Sequence, residues 1–95
     1  MPPIFQVVES LMAIPELTTA DAREDIVASL RPEIGIRIPR RDRAQHDVLS
    51  IVRTCLEFPN GIEEFLALVR ALVGETAQLK ALEETIAELT RQPLE

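Results

Sequence analysis

The chain has no tryptophan and no tyrosine, and it carries one cysteine, one histidine and three glycines. Each scarcity excludes something. A single thiol, Cys55, cannot form an internal disulfide framework, so a reducing compartment is the simplest expectation and a cytoplasmic location follows from it. One Cys and one His do not supply the three or four converging ligands of a metal site. Three scattered glycines, Gly35, Gly61 and Gly74, do not make a phosphate-cradling loop. Aromatic residues are 3% of the chain, all of them Phe. A core must therefore be built from Leu, Ile, Val and Ala, the usual filling of helix–helix contacts. No apolar run reaches 18 residues and no charged segment precedes an apolar stretch at the start, so neither a membrane span nor a signal peptide is expected.

What is present points to one helical domain. Ninety-five residues with 46% hydrophobic side chains suffice for a single core. The formal net charge is −6, which argues against a general binder of nucleic acid or anionic membrane. The charge is unevenly spread. Residues 1–30 hold one Arg against five acids, residues 31–43 five Arg against two acids, and residues 57–95 three basic against eight acidic side chains. A basic segment thus lies between two acidic ones, as head-to-tail association through unlike patches would use.

Prolines and glycines divide the chain into helical lengths. Pro2 and Pro3 suit a helix entry, and Ile4, Val7, Val8, Leu11 and Met12 repeat at helical spacing up to a stop at Pro15. Thr18 and Asp21 predict a capping-box start for a second helix with Ile26, Val27 and Leu30 inward, stopped by Pro32. Ile34, Ile36 and Ile38 alternate like a strand, but no partner strand exists. The segment is expected to be an extended linker or short helical turn with its Ile residues pinned in the core. A helix over 42–57 follows, with Ala44, Val48, Ile51, Val52 and Cys55 on one face. Asn60 is expected to cap the next helix, with Glu63 at its third position and Gly74 at its end. The last helix, about 76–91, carries Leu79, Leu82, Ile86 and Leu89 as a narrow stripe, which either covers an edge of the bundle or continues into a longer helix. The terminal Leu94-Glu95 reads as a cloning scar on a piece excised from a longer protein, which leaves 1–93 as one domain. The fold class is all-α, a compact bundle of five to six helices.

Nothing here reads as catalytic equipment. His46 and Cys55 are nine residues apart, so on one helix they face opposite sides and cannot form a dyad. Cys55 reads as a small core residue. The acidic pairs read first as solvated helix faces. The basic cluster Arg37, Arg40, Arg41 and Arg43 is the best candidate for function. Arginine forms bidentate contacts with carboxylates and is favoured at interfaces. Its counterpart would be an acidic patch on another copy or a related module, presenting Glu63/Glu64 or Glu83/Glu84. Local pairing of the arginines with Asp42, Asp47 or Glu33 is the competing reading. Nucleic-acid binding, with the 42–57 helix as reader, is disfavoured because the cluster has no aromatic residue for stacking bases. A purely structural oligomerisation bundle is the remaining alternative. No cofactor is implied.

The combination of Arg23, Leu30-Arg31-Pro32, Ile38-Pro39-Arg40, Arg43-Ala44, Asp47-Val48, Ile51-Val52, Thr54-Cys55, Pro59 and Gly61 resembles the second family of bacterial effector-associated domains. The resemblance runs from about Leu11 to Leu82 and is densest from Arg43 to Leu66. It implies a small helical adaptor in a multidomain bacterial protein, with a six-helix, death-like arrangement. Such a module is fused to an effector, often a trypsin-like or caspase-like peptidase, or to a sensor NTPase. Like-with-like association then couples the two in a conflict or immune response. Val48, Ile51, Val52 and Cys55 carry over as core positions, and Arg40 and Arg43 as polar positions without an assigned role. Asn60-Gly61-Ile62 departs from a Gly-Gly-Leu form of the turn.

Overall fold

The computed structural model of the chain describes residues 3–91, with side chains described for 4–88. Helix α1 spans Pro3–Met12 and is followed by a 3-10 turn, Pro15–Thr18. Then come α2 (Ala20–Ser29), the one-turn α3 (Pro32–Gly35), α4 (Ala44–Leu56), α5 (Gly61–Val73) and α6 (Ala77–Arg91). Six helices and no strand are found among the described residues, an all-α bundle as the periodicity predicts. The expectations for Pro2, the Leu89 side chain and Leu94-Glu95 fall outside what is described.

Helix α1 is the middle of the bundle, with α6 packed against it from one side and α4 from another. It contributes Val7, Val8 and Leu11 to the core. Against these lie Val48, Ile51, Val52 and Cys55 of α4, and Leu79, Leu82 and Ile86 of α6. The last helix therefore covers an edge of the bundle, the first of the two roles open to it. Phe65 is the one fully buried ring among the described residues, and the rest of the core is aliphatic, with Cys55 as a small sulfur-bearing member.

The element boundaries shift where backbone chemistry competes. Pro15 opens the 3-10 turn rather than merely ending α1, because a turn's first residue needs no N–H donor. The Thr18 hydroxyl donates to the Pro15 carbonyl at 2.7 Å inside that turn. The cap of α2 passes to Thr19, whose Oγ1 accepts the Ala22 N–H at 3.3 Å. Pro32 likewise starts α3. Within 33–39 the helical turn places Ile34 and Ile38 in the core, while Ile36 is 83% exposed. The expectation that all three Ile residues are pinned inward is corrected: one helical turn puts i and i+4 on one side and i+2 on the other.

Asn60 also departs from its expected role. It sits at φ 60°, in the left-handed region, and makes no capping bond with its side chain. The cause is the tightness of the α4–α5 junction. A Cβ placed on Gly61 would lie 2.1 Å from the Cys55 carbonyl oxygen, so the two backbones approach as only glycine allows. The chain reverses direction through Asn60, a residue that tolerates the left-handed conformation better than most. Gly74, at φ 76°, terminates α5 as expected, its N–H bonded to the Arg70 carbonyl at 2.8 Å.

Candidate protein-interaction surface

The basic segment begins where α3 ends and is held down by one carboxylate. Asp47 lies in the first turn of α4 and is fully buried. Its Oδ2 accepts from Arg23 Nε of α2 at 2.8 Å, and Arg23 Nη1 donates onward to the Leu17 carbonyl of the 3-10 turn at 3.1 Å. From the other side Arg40 grips Asp47 with two parallel bonds, Nε to Oδ1 at 2.9 Å and Nη2 to Oδ2 at 2.7 Å. Arg40 Nη1 also reaches Glu24 Oε1 at 2.6 Å, and the Arg41 N–H donates to Asp47 Oδ1 at 3.1 Å. One side chain thus joins α2, the 3-10 turn, the segment after α3 and α4.

The electrostatics follow from that geometry. Burial, the largest influence, pushes the Asp47 carboxyl up. The hydrogen bonds from Arg40, Arg23 and the Arg41 N–H together outweigh it and hold the group at about 2. The Arg40 guanidinium is raised above its ordinary value, first by its hydrogen bonds to Asp47. A buried charge paired in this way is costly to leave half-made, because removal of one partner strands the other.

A second joint uses Arg31, between α2 and α3. Its N–H donates to Glu64 Oε2 at 2.7 Å, its Nη2 donates to the Pro59 carbonyl at 2.7 Å, and its Nε lies 2.9 Å from Glu64 Oε1. The α2–α3 link is thereby tied to the α4–α5 turn and to the start of α5.

These joints sort the candidate residues. Arg40 and Glu64 serve the fold, and Glu83 is ion-paired with Arg70, which also holds Glu75 at 2.8 Å. The Arg37 guanidinium stands over the Phe58 ring, 5.9 Å from its centroid. Arg41, Arg43, Glu63 and Glu84 are exposed, and none forms an ion pair among the described residues. The basic cluster therefore divides: Arg40 turns into the fold while Arg37, Arg41 and Arg43 remain on the surface. The acidic candidates divide too. Glu63 and Glu83 line one groove between α5 and α6, with Ile62, Leu66 and Ile86 along it, whereas Glu64 faces the α2–α3 link.

The thiol offers no reactive centre in this setting. Cys55 is completely buried, and burial pushes its thiol up to about 12. His46 is exposed at the surface. Among the described residues no group of three His, Cys, Asp or Glu side chains is placed to hold a metal ion, and no helix is long and apolar enough to cross a membrane.

The sequence model of one family, described as Effector-associated domain 2, matches residues 8–87. The chain belongs to that family. No curated protein and no solved structure is similar enough to the chain to count as a match. The polar positions that carry the family resemblance acquire a physical meaning here. Arg23, Arg40 and Asp47 make the first joint, Arg31 and the Pro59 carbonyl belong to the second, and Gly61 permits the close α4–α5 approach. In this effector-associated domain most of the recognisable residues build the scaffold, while Arg43, one of them, faces outward. Sequence reasoning placed Arg23 in the motif without a role and offered Asp47 as one of three local partners for the arginines, a pairing that Arg40 makes. The available signal was an Arg within a helix of weak amphipathicity and an Asp one position before a core Val.

Proposed function

We propose that this effector-associated domain is a non-catalytic adaptor that couples a sensor to an effector, a peptidase or an NTPase, through association with modules of its own type. Its setting is a bacterial conflict or immunity system in the cytoplasm, comparable in role to the death-superfamily adaptors. The observation that carries this reading is the segregation of charge. Arg37, Arg41 and Arg43 project from a segment clamped by Arg40, while Glu63, Glu83 and Glu84 gather on α5 and α6. A rigidly held basic edge and a separate acidic face on one chain are complementary between copies, and Arg is the residue best suited to carboxylate partners.

The test is light scattering of the purified domain across concentration, at low and high salt. Protein concentration is read by refractive index, since there is no Trp or Tyr to absorb. Mass is expected to rise with concentration at low salt and to fall at high salt. The Arg41→Glu, Arg43→Glu double variant is expected to associate more weakly than the parent, with an unchanged helical signal. Arg40 is left intact because its reversal would disturb the Asp47 joint. A double variant that assembles like the parent would overturn this choice of surface.

A further inference from the structure

We propose that the contact between copies is a knob in a groove: Ile36 and Arg37 of one copy seat between α5 and α6 of the next. The proposal rests on the same-type association described above and names its geometry.

Ile36 is 83% exposed, unlike Ile34 and Ile38 on either side of it, which are buried at 0% and 6%. It cannot turn inward. Backbone bonds from Ile34 and Gly35 to the Arg31 carbonyl, from Ile36 to Pro32 and from Arg37 to Ile34 close the turn beneath it. The buried Ile34 and Ile38 pin both ends, and Arg40 clamps the chain two residues further on. The backbone that carries the knob is therefore held in one conformation, which lowers the ordering cost of docking. Beside it stands Arg37, steadied over Phe58. The α5–α6 groove has the opposite character. Leu66 of α5 and Ala87 of α6 give it accessible apolar surface above the core residues Ile62 and Ile86, and Glu63 stands at its rim across from Glu83, which Arg70 holds. An apolar knob with a cation at its shoulder meets a partly apolar groove whose rim carries the Glu63 carboxylate, so charge complementarity points to a second copy of this chain.

Knob and groove involve different neighbours of α5. Glu64 bonds the α2–α3 link, next to the turn that carries Ile36. Glu63, about 100° further round the same helix, faces α6 instead. The contact we propose is therefore head-to-tail, a heterologous pairing that propagates into a ring or an open filament.

Complementation tests this directly. Ile36→Asp removes the knob and leaves the groove, while Glu63→Arg reverses a rim charge and leaves the knob. Both positions are exposed, so each variant is expected to keep the parent's helical circular dichroism. Each alone is expected to lose about tenfold or more in self-association. Mixed in equal amounts, they are expected to form a 1:1 heterodimer that grows no further, because one knob and one groove remain intact. Association of both single variants at parental strength would overturn the knob and groove while leaving same-type association standing. Two monomeric variants that fail to pair on mixing would likewise overturn the heterologous pairing. A parent chain that stays monomeric at every concentration and salt would overturn the same-type reading itself, and this contact with it.

Discussion

Arg40 and Arg41 are adjacent in sequence and opposite in use. Arg40 spends its guanidinium on two carboxylates of its own chain, Asp47 and Glu24, and so holds a loop against α2 and α4. Arg41 gives Asp47 only its backbone N–H and leaves its side chain at the surface. The difference comes from geometry alone, since both are arginines in the segment between α3 and α4. Asp47 takes the Arg40 guanidinium on both oxygens and the Arg41 backbone N–H, which leaves the Arg41 side chain at the surface. A basic cluster read from sequence is thus two populations, one that secures the fold and one that faces outward.

Substitutions can break that comparison at several strengths. The largest effect is expected at the shared anchor. Asp47→Ala strands the buried Arg23 and frees Arg40, at a cost of about 3–5 kcal/mol in denaturant unfolding. A loss near zero would mean that the joint adds nothing to the fold. Acid should reproduce part of this without mutation. The Asp47 carboxyl is lowered from 3.8 to about 2 on folding, so the unfolded chain binds the proton more readily between those values. Its contribution is therefore complete above about pH 5 and lost as pH falls toward 2, on the order of 2 kcal/mol. Unfolding curves collected from pH 6 to pH 2 should show that decline, and Asp47→Asn should flatten it. Next comes Arg40→Ala, which removes charge-assisted bonds from a side chain about one-third exposed. About 1–2 kcal/mol is expected after solvent screening, less than for Asp47 because Arg23 still pairs the carboxylate. The smallest effect belongs to the outward set. Arg41→Glu with Arg43→Glu should leave the melting temperature within about 3 °C of the parent while changing association. If this pair destabilised as much as Arg40→Ala, the division between fold-holding and outward arginines would be lost.

The helices were legible because their apolar residues recur at the helical period. Val48, Ile51, Val52 and Cys55 occupy the core face their spacing predicts, and Gly74 ends α5 as its freedom at positive φ predicts. The short connectors were less legible, because several local signals compete over few residues. Thr18 and Thr19 are equally good caps in isolation, and the turn started by Pro15, which runs through Thr18, leaves Thr19 at the N-cap position of α2. Ile34, Ile36 and Ile38 look equivalent, and only the α3 turn separates two core residues from one exposed knob. Of the interaction surface, the charge segregation was visible. The partition of its members was not, because Arg40 and Asp47 are tied by a bond whose meaning depends on α2 lying across them.

By itself the sequence determined the all-helical class, the aliphatic core, the placement of the long helices and membership of the effector-associated domain 2 family. Each of these rests on local periodicity or on residue identity along the chain. Tertiary structure alone decided that Asp47 is buried between Arg23 and Arg40, that Glu63 and Glu64 face different neighbours, and that Ile36 projects. Those outcomes depend on which elements are packed side by side, and residues 16 or 24 positions apart meet only after the whole bundle has closed.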